Sequence, residues 1–402
     1  MAETAHTQPR PPLAPVSWTL FLTLTAYGLA LFAVGPCLTS IARTFGVPLG
    51  ATGALFTVFF VGFTAGVLSS GFAAERFGKR RVTAVGLAIL AAGLFLLGAS
   101  PGPFAALRLW WALGAMLVMG VGGATVEATA SAMVADVNPR REGFAINLMQ
   151  AFFGFGAVAG PILVAVLLSR GGVWQSHFLV SGAVAAALFL ALLVQRAEER
   201  PVEPLPLRQL GVLLRQPTLL MLCLAMMLYV GSEIGYTGWI SALIERGMGT
   251  RVEIAGQAVT AFWITMTLGR LACTWLVQII PAERLMLALG GGGAVASGLT
   301  MLAPTPGWGI AASAMVGVFL SGSFGLILTS ASDRFAERRA MVFSLVITSV
   351  GVGGMTLPAA MGLVAEATNL RWAMALPAAA MALVALLFAR VGGRTQCLPP
   401  TS

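Results

Sequence analysis

ATGALFTVFFVGFTAGVLSSGFAAERFGKRRVTAVGLAILAAGLFLLGAS, residues 51–100, sets two long apolar runs on either side of one cationic turn. A helix crosses the hydrocarbon core of a bilayer with about 20 apolar residues, and each run supplies that length. The turn between them holds Glu75, Arg76, Lys79, Arg80 and Arg81. Charge confined to a short turn between two such runs marks a helical hairpin threaded through lipid, where a backbone must satisfy its own hydrogen bonds.

The same alternation extends in both directions. Of the 402 residues, 58% are hydrophobic and 10% charged, where an ordinary soluble domain carries about 25% charged residues. So little charge cannot solvate the surface of a globule this size, so a soluble fold and a large extramembrane domain are excluded. Apolar runs between charges and Gly/Pro breaks predict spans at 18–41, 51–73, 82–100, 105–134, 144–169, 174–195, 217–244, 254–280, 285–303, 307–331, 341–365 and 371–390. The expected fold is therefore an all-α integral membrane protein of twelve transmembrane helices in two six-helix bundles. The 48 glycines fit helices that approach closely in lipid, where no hydrophobic force drives them together.

The longest interruption, 196–216, is rich in Arg, Glu and Pro. It divides the chain into a tail at 1–17, a first bundle at 18–195, a linker at 196–216, a second bundle at 217–390 and a tail at 391–402. Placing the amino terminus in the cytoplasm puts 18 of the 24 Lys and Arg on that side, leaving Arg43, Arg108, Arg170, Arg246, Arg251 and Arg371 opposite. Cytoplasmic loops carry the excess of Lys and Arg, so both termini are expected inside, in a cell inner membrane. Asp136 with Arg140 and Arg141 after the fourth span recurs as Asp333 with Arg338 and Arg339 after the tenth. Duplication of a six-helix unit is the simplest reading.

The net charge of +9 is dispersed in small groups between spans, so topology explains it and no nucleic-acid partner is expected. Cys37, Cys223, Cys273 and Cys397 lie far apart, and His6 and His177 stand near no other ligand type. Neither a disulfide framework nor a metal site follows, and no cofactor is expected. The glycine runs at 290–293 and 351–354 fall inside spans, not at strand-to-helix turns that cradle phosphate. No nucleophile and base stand together, so the chain is not expected to be an enzyme. Residues 1–17 lack the basic, apolar and small-residue succession of a cleaved signal peptide.

Ionisable side chains deep in spans are costly and mark function by default. Glu127 and Glu233 are the clear cases, while Arg108 and Arg270 are placed near helix ends, where they snorkel. Tyr229 lies four residues before Glu233 and Tyr236 three after, which puts two hydroxyls and a carboxylate on one helical face with Trp239 nearby. Such a face suits polyhydroxylated ligands, whose C–H surfaces stack on rings and whose hydroxyls donate to the acid. Asn147 and Gln150 share a face in the fifth span with Gly154, and Trp263 stands in the eighth. Polar amides of this kind also serve as glue between helices.

Gly71, Glu75, Arg76, Gly78, Lys79, Arg80 and Arg81 closely resemble the signature loop of the major facilitator superfamily, G-x-x-x-D-R-x-G-R-[KR]-x, with Glu75 and Lys79 as departures. The resemblance implies a gate at the cytoplasmic end, built from this loop with Asp136 and Arg140, in which Glu75 pairs across the two halves. Tyr229 to Trp239 resembles the seventh span of the fucose permease and glucose transporter branch, and Phe262, Trp263, Gly269 and Arg270 resemble its eighth. On that resemblance Glu127 falls where the branch has a proton-coupling glutamate, with Glu233 a second coupling candidate. Tyr27 stands in a first span that lacks the aspartate of fucose permease. The implied substrate-binding set is Tyr27, Asn147, Gln150, Tyr229, Glu233, Tyr236, Trp239 and Trp263.

The expected activity is proton-coupled uptake of a sugar or related polyol by alternating access, in a monomer surrounded by lipid, with sodium as the other candidate ion. The rival is proton-driven export of drugs or metabolites, because Gly154, Gly156, Gly160 and Pro161 resemble an element of the superfamily's antiporters. A non-transporting sensor would leave the buried acids and the loop unexplained.

Overall fold

A computed structural model of the chain describes residues 13–100, 108–139, 142–195, 213, 215–277, 279–335 and 339–395. In order, its helices are α1 (Pro15–Leu31), α2 (Val34–Phe45), α3 (Gly53–Phe77), α4 (Lys79–Gly98), α5 (Arg108–Val137), α6 (Glu142–Ser169) and α7 (Trp174–Val194). They continue as α8 (Pro217–Ala242), α9 (Val252–Leu276), α10 (Ala282–Met301), α11 (Pro306–Leu320), α12 (Ser323–Arg334), α13 (Arg339–Ala367), α14 (Leu370–Ala373) and α15 (Ala375–Thr395).

Their boundaries follow local chemistry. Pro15, Pro217 and Pro306 open α1, α8 and α11, where a missing N–H costs nothing. Gly78, between α3 and α4, has φ +85°, a conformation that favours glycine, so the cationic turn depends on it. Pro36 breaks the first span. It offers no N–H to the Phe32 carbonyl, and α1 and α2 meet there with a 42° bend.

Among the described residues, nine helices are long and apolar enough to cross a membrane, and α1 with α2 as one bent span makes ten. The expectation was twelve. The two that fall short, α9 and α10, span 25 and 20 residues; α9 carries Glu253, Gln257 and Arg270, while α10 opens on Glu283 and Arg284 and contains four consecutive glycines. The fold is an all-α, multi-span membrane fold. Trp18, Trp110, Trp111, Trp275, Trp308 and Trp372 are exposed at or beside helix ends, the position of interfacial aromatic belts.

Helix pairings in the first part of the chain recur in the second. α1 packs on α6 as α8 does on α13, and α3 packs on α5 as α9 does on α11. The pairs α4 with α5 and α4 with α7 return as α10 with α11 and α10 with α15. Backbones touch closely enough to need glycine: a Cβ on Gly120 of α5 would lie 2.0 Å from the Phe59 carbonyl oxygen of α3, and one on Gly353 of α13 equally close to that of Met227 on α8. The two parts meet where α2 packs on α8, α3 on α13 and α6 on α9.

The ends of this assembly differ. At the end where α2 finishes, Arg43 Nη2 of the first part reaches Glu245 Oε1 of the second at 3.0 Å, and Arg246 donates to the Thr39 carbonyl at 3.5 Å. At the opposite end, the described ion pairs stay within one part: Lys79 with Asp136 at 2.6 Å, and Arg334 with Glu283 at 3.0 Å.

Candidate functional site

The charged residues that sequence places deep in the spans come together between the two parts. Glu127 of α5 lies in electrostatic reach of Glu233 on α8 and Arg270 on α9, and Glu233 in turn of Arg270. One carboxylate is thus contributed by the first part, and one carboxylate and one guanidinium by the second. Tyr229, one turn before Glu233, donates its hydroxyl to Glu233 Oε2 at 2.5 Å and also interacts with Arg270. Glu233 is buried, and the helical spacing of four residues makes this intrahelical bond geometrically natural.

Aromatic side chains close the site. The Trp263 ring centroid is 4.1 Å from that of Phe32 and 6.1 Å from that of Phe153. Phe32 occupies the break caused by Pro36, so the bend of the first span delivers this ring to the interface. Tyr27, almost fully buried, packs 5.7 Å from Phe153 and feels the Glu127 carboxylate. Its ring covers Gly123, where an added Cβ would come within 2.4 Å of it. Gly154 of α6 faces Thr267 of α9, and one antiparallel turn further along, the half-buried Gln150 stands level with Arg270. The Asn147 side chain lies outside the described residues.

Tyr236 and Trp239 go elsewhere. The Tyr236 hydroxyl is bonded to Thr300 Oγ1 at 2.9 Å and Ser313 Oγ at 3.1 Å, and its ring stacks on Phe262. It therefore ties α8 to α10 and α11 instead of facing the carboxylates. Trp239 Nε1 donates to the Pro358 carbonyl at 3.0 Å, and its ring abuts Gly53 and Gly362. Helical spacing put both on the Glu233 face, but their long side chains leave that face for gaps between helices.

The loop between α3 and α4 also differs from its expected latch. Glu75 is exposed and takes part in no ion pair among the described residues. Lys79 instead joins α4 to Asp136 of α5, and Arg80 Nη1 donates to the Leu192, Leu193 and Gln195 carbonyls at the end of α7, a favourable place for a cation. Arg76 lies beside the Phe77 ring, and Gly71 faces open space. Arg140 lies outside the described residues. Each of these contacts is made within one part of the chain.

Arg270 is the residue that sequence reading misplaced. Its guanidinium carbon sits 5.8 Å from the Trp263 ring centroid and Nη2 lies 4.0 Å from Met266 Sδ, directed into the interface and not toward a helix end. The available signal was the seven-residue spacing of Trp263 and Arg270, two helical turns on one face.

A lipid-spanning bundle that gathers opposite charges between its two parts has the layout of a membrane transporter. The chain belongs to the Major Facilitator Superfamily, whose model matches residues 20–336 and 241–396. The Protein TsgA homolog of Citrobacter koseri is 22% identical over 351 residues, covering 85% of each chain. The E. coli fucose:proton symporter resembles it in fold with a TM-score of 0.64 at 16% identity, over 94% of this chain and 98% of that one. A bacterial homolog of the human lysosomal transporter Spinster, inward-facing and unoccupied, gives a TM-score of 0.77 at 16% identity, over 98% and 100%.

Proposed function

We propose that the chain is a secondary active transporter that takes up a sugar or related polyol together with a proton by alternating access. Its twelve spans form two six-helix bundles, 18–195 and 217–390, joined by a cytoplasmic linker at 196–216. α9 and α10 complete the count, since each is long enough to span and each repeats the pairing of a counterpart, α3 and α4, in the first bundle. Both termini face the cytoplasm of the inner membrane, and the protein works as a monomer. On that orientation the Arg43 and Glu245 end is extracellular and shut, so the conformation is inward-facing.

The observation that carries this reading is the meeting of Glu127 from one bundle with Glu233 and Arg270 from the other. A carboxylate at a moving interface takes up and releases a proton as the site changes access, which couples proton movement to the swing of the bundles. Tyr27, Gln150, Tyr229, Glu233 and Trp263 supply rings and polar atoms to a hydroxylated ligand. The likeness to a fucose:proton symporter supports a substrate of that kind.

The exporter reading loses its motif to packing. Cβ atoms on Gly156 and Gly160 would lie 2.1 and 2.5 Å from the Thr25 and Leu29 carbonyl oxygens of α1, so these glycines serve helix contact.

Reconstituted protein and an imposed proton gradient test the proposal. Glu127→Gln should abolish gradient-driven accumulation while counterflow exchange of the same substrate persists. Loss of both activities in a variant that melts normally would move Glu127 from coupling to substrate contact.

A further inference from the structure

Arg270 carries a fixed positive charge inside a span, where an isolated charge is costly. Both carboxylates of the site are in its electrostatic reach, yet among the described residues none lies within the 4.0 Å of an ion pair. Its described contacts are the Trp263 ring, the Met266 sulfur and the Tyr229 hydroxyl. A ring face, a thioether and one hydroxyl occupy little of a planar fork of five N–H donors. Two turns away on the same helix face, the buried Trp263 Nε1 also has no acceptor. α9 thus offers two donor groups that no described carboxylate engages within bonding distance, and the tyrosine hydroxyl nearest by is already donating to Glu233.

A neutral polyol does not match this surplus, because each hydroxyl brings a donor with every acceptor. A carboxylate does match: it accepts only, and its two oxygens fit the guanidinium fork in the bidentate geometry that favours Arg over Lys. We propose that the substrate is a polyhydroxy monocarboxylate, a sugar acid, whose carboxylate docks on Arg270 while its hydroxyls meet Glu233, Tyr229 and the indole N–H of Trp263. The inference rests on the polyol-transport reading and narrows it.

Charge balance restricts the anion further. Glu127 from α5 and Glu233 and Tyr229 from α8 interact with Arg270, Gln150 from α6 stands level with it, and Tyr27 from α1 faces Glu127. One guanidinium balances one ionised carboxylate while the other holds a proton, which leaves the empty site neutral. A bound monoanion takes over that balance once the second carboxylate is protonated, so one proton accompanies each anion and the loaded site stays neutral. A dianionic phosphate ester would leave a net negative charge between two acids. Transport of the anion with its proton is electroneutral.

The test uses full-length protein in lipid nanodiscs and isothermal titration with gluconate, glucitol, glucose, glucose 6-phosphate and the cationic dye rhodamine 6G. The inference expects gluconate to bind at least tenfold more tightly than glucitol or glucose, and Arg270→Lys to reduce that preference at least tenfold with an unchanged melting temperature. The wild-type panel decides the matter even if the variant misfolds. Glucitol or glucose binding as tightly as gluconate overturns the inference and leaves the polyol reading standing. Tighter binding of glucose 6-phosphate overturns the monoanion requirement. Binding of rhodamine 6G alone, or of none of the five, overturns both readings.

Discussion

Removing the charge of Glu245 should open the end of the bundle where α2 finishes. The Arg43–Glu245 contact joins the two bundles at 3.0 Å, but its partners sit in different surroundings: the Arg43 side chain is 68% exposed and that of Glu245 8%. An exposed pair contributes about 0.2–1 kcal/mol, whereas breaking a fully buried one costs about 3–5 kcal/mol. Solvent screening of Arg43 places this pair near the lower figure, at about 1 kcal/mol. Because the contact exists only while this end is shut, its whole strength bears on the equilibrium between shut and open, and about 1 kcal/mol corresponds to a roughly fivefold change. The measurement is a distance distribution between spin labels at Val173→Cys and Thr368→Cys, one on each bundle at this end, in protein whose four cysteines have been replaced. Glu245→Gln and Arg43→Gln should each enlarge the long-distance population about fivefold, and the swapped pair Arg43→Glu with Glu245→Arg should restore the original distribution. If both single variants leave the distribution unchanged, the pair is not a gate.

The Tyr229 hydroxyl has its acceptor on Glu233, so Glu233→Ala should lower stability by about 1–3 kcal/mol through an unpaired buried donor. Glu233→Gln, which keeps a carbonyl acceptor, should cost less; equal melting temperatures for the two variants would disprove the account. Gly120→Ala should lower the melting temperature, since its Cβ would strike the Phe59 backbone and overpacking costs about 1–3 kcal/mol, while Gly71→Ala, in open space, should melt like the parent. A cysteine at position 199 should resist membrane-impermeant maleimide in intact cells and react after permeabilisation. Rapid labelling from outside would invert the topology.

Ten of the twelve expected spans were readable from the sequence because lipid imposes one strong rule, a run of about 20 apolar residues. The same rule explains the shortfall at α9 and α10, where function and close packing have replaced apolar residues by Arg270 and by Gly290–Gly293. Glu127, Glu233, Tyr229 and Trp263 were legible as candidates because their cost or size inside a span demands a partner, and the fold brings them to the interface between the two parts. Arg270 was not, since a long cationic side chain within two turns of a helix end can either snorkel outward or turn into the interface, and spacing along the chain does not decide between them. Periodicity placed Tyr236 and Trp239 on the right side of the helix but could not say that their tips would turn to Ser313 and Pro358. The expected pairing of Glu75 is not made in this conformation: a motif describes which charges share a loop, and the conformation determines which of them find partners.

The ion pairs at the end opposite the Arg43–Glu245 contact have opposite signs in the two parts. Lys79 opens α4 and binds Asp136 near the end of α5; Glu283 opens α10 and binds Arg334 at the end of α12. The bond recurs at the same place in each repeat with its polarity reversed. Neither pair needs to break as one bundle rocks against the other, so both are present at every stage of turnover and favour no stage over another. Selection at these four positions therefore acts on assembly and lifetime in the membrane, and damage there should reduce the amount of carrier without slowing each molecule that survives.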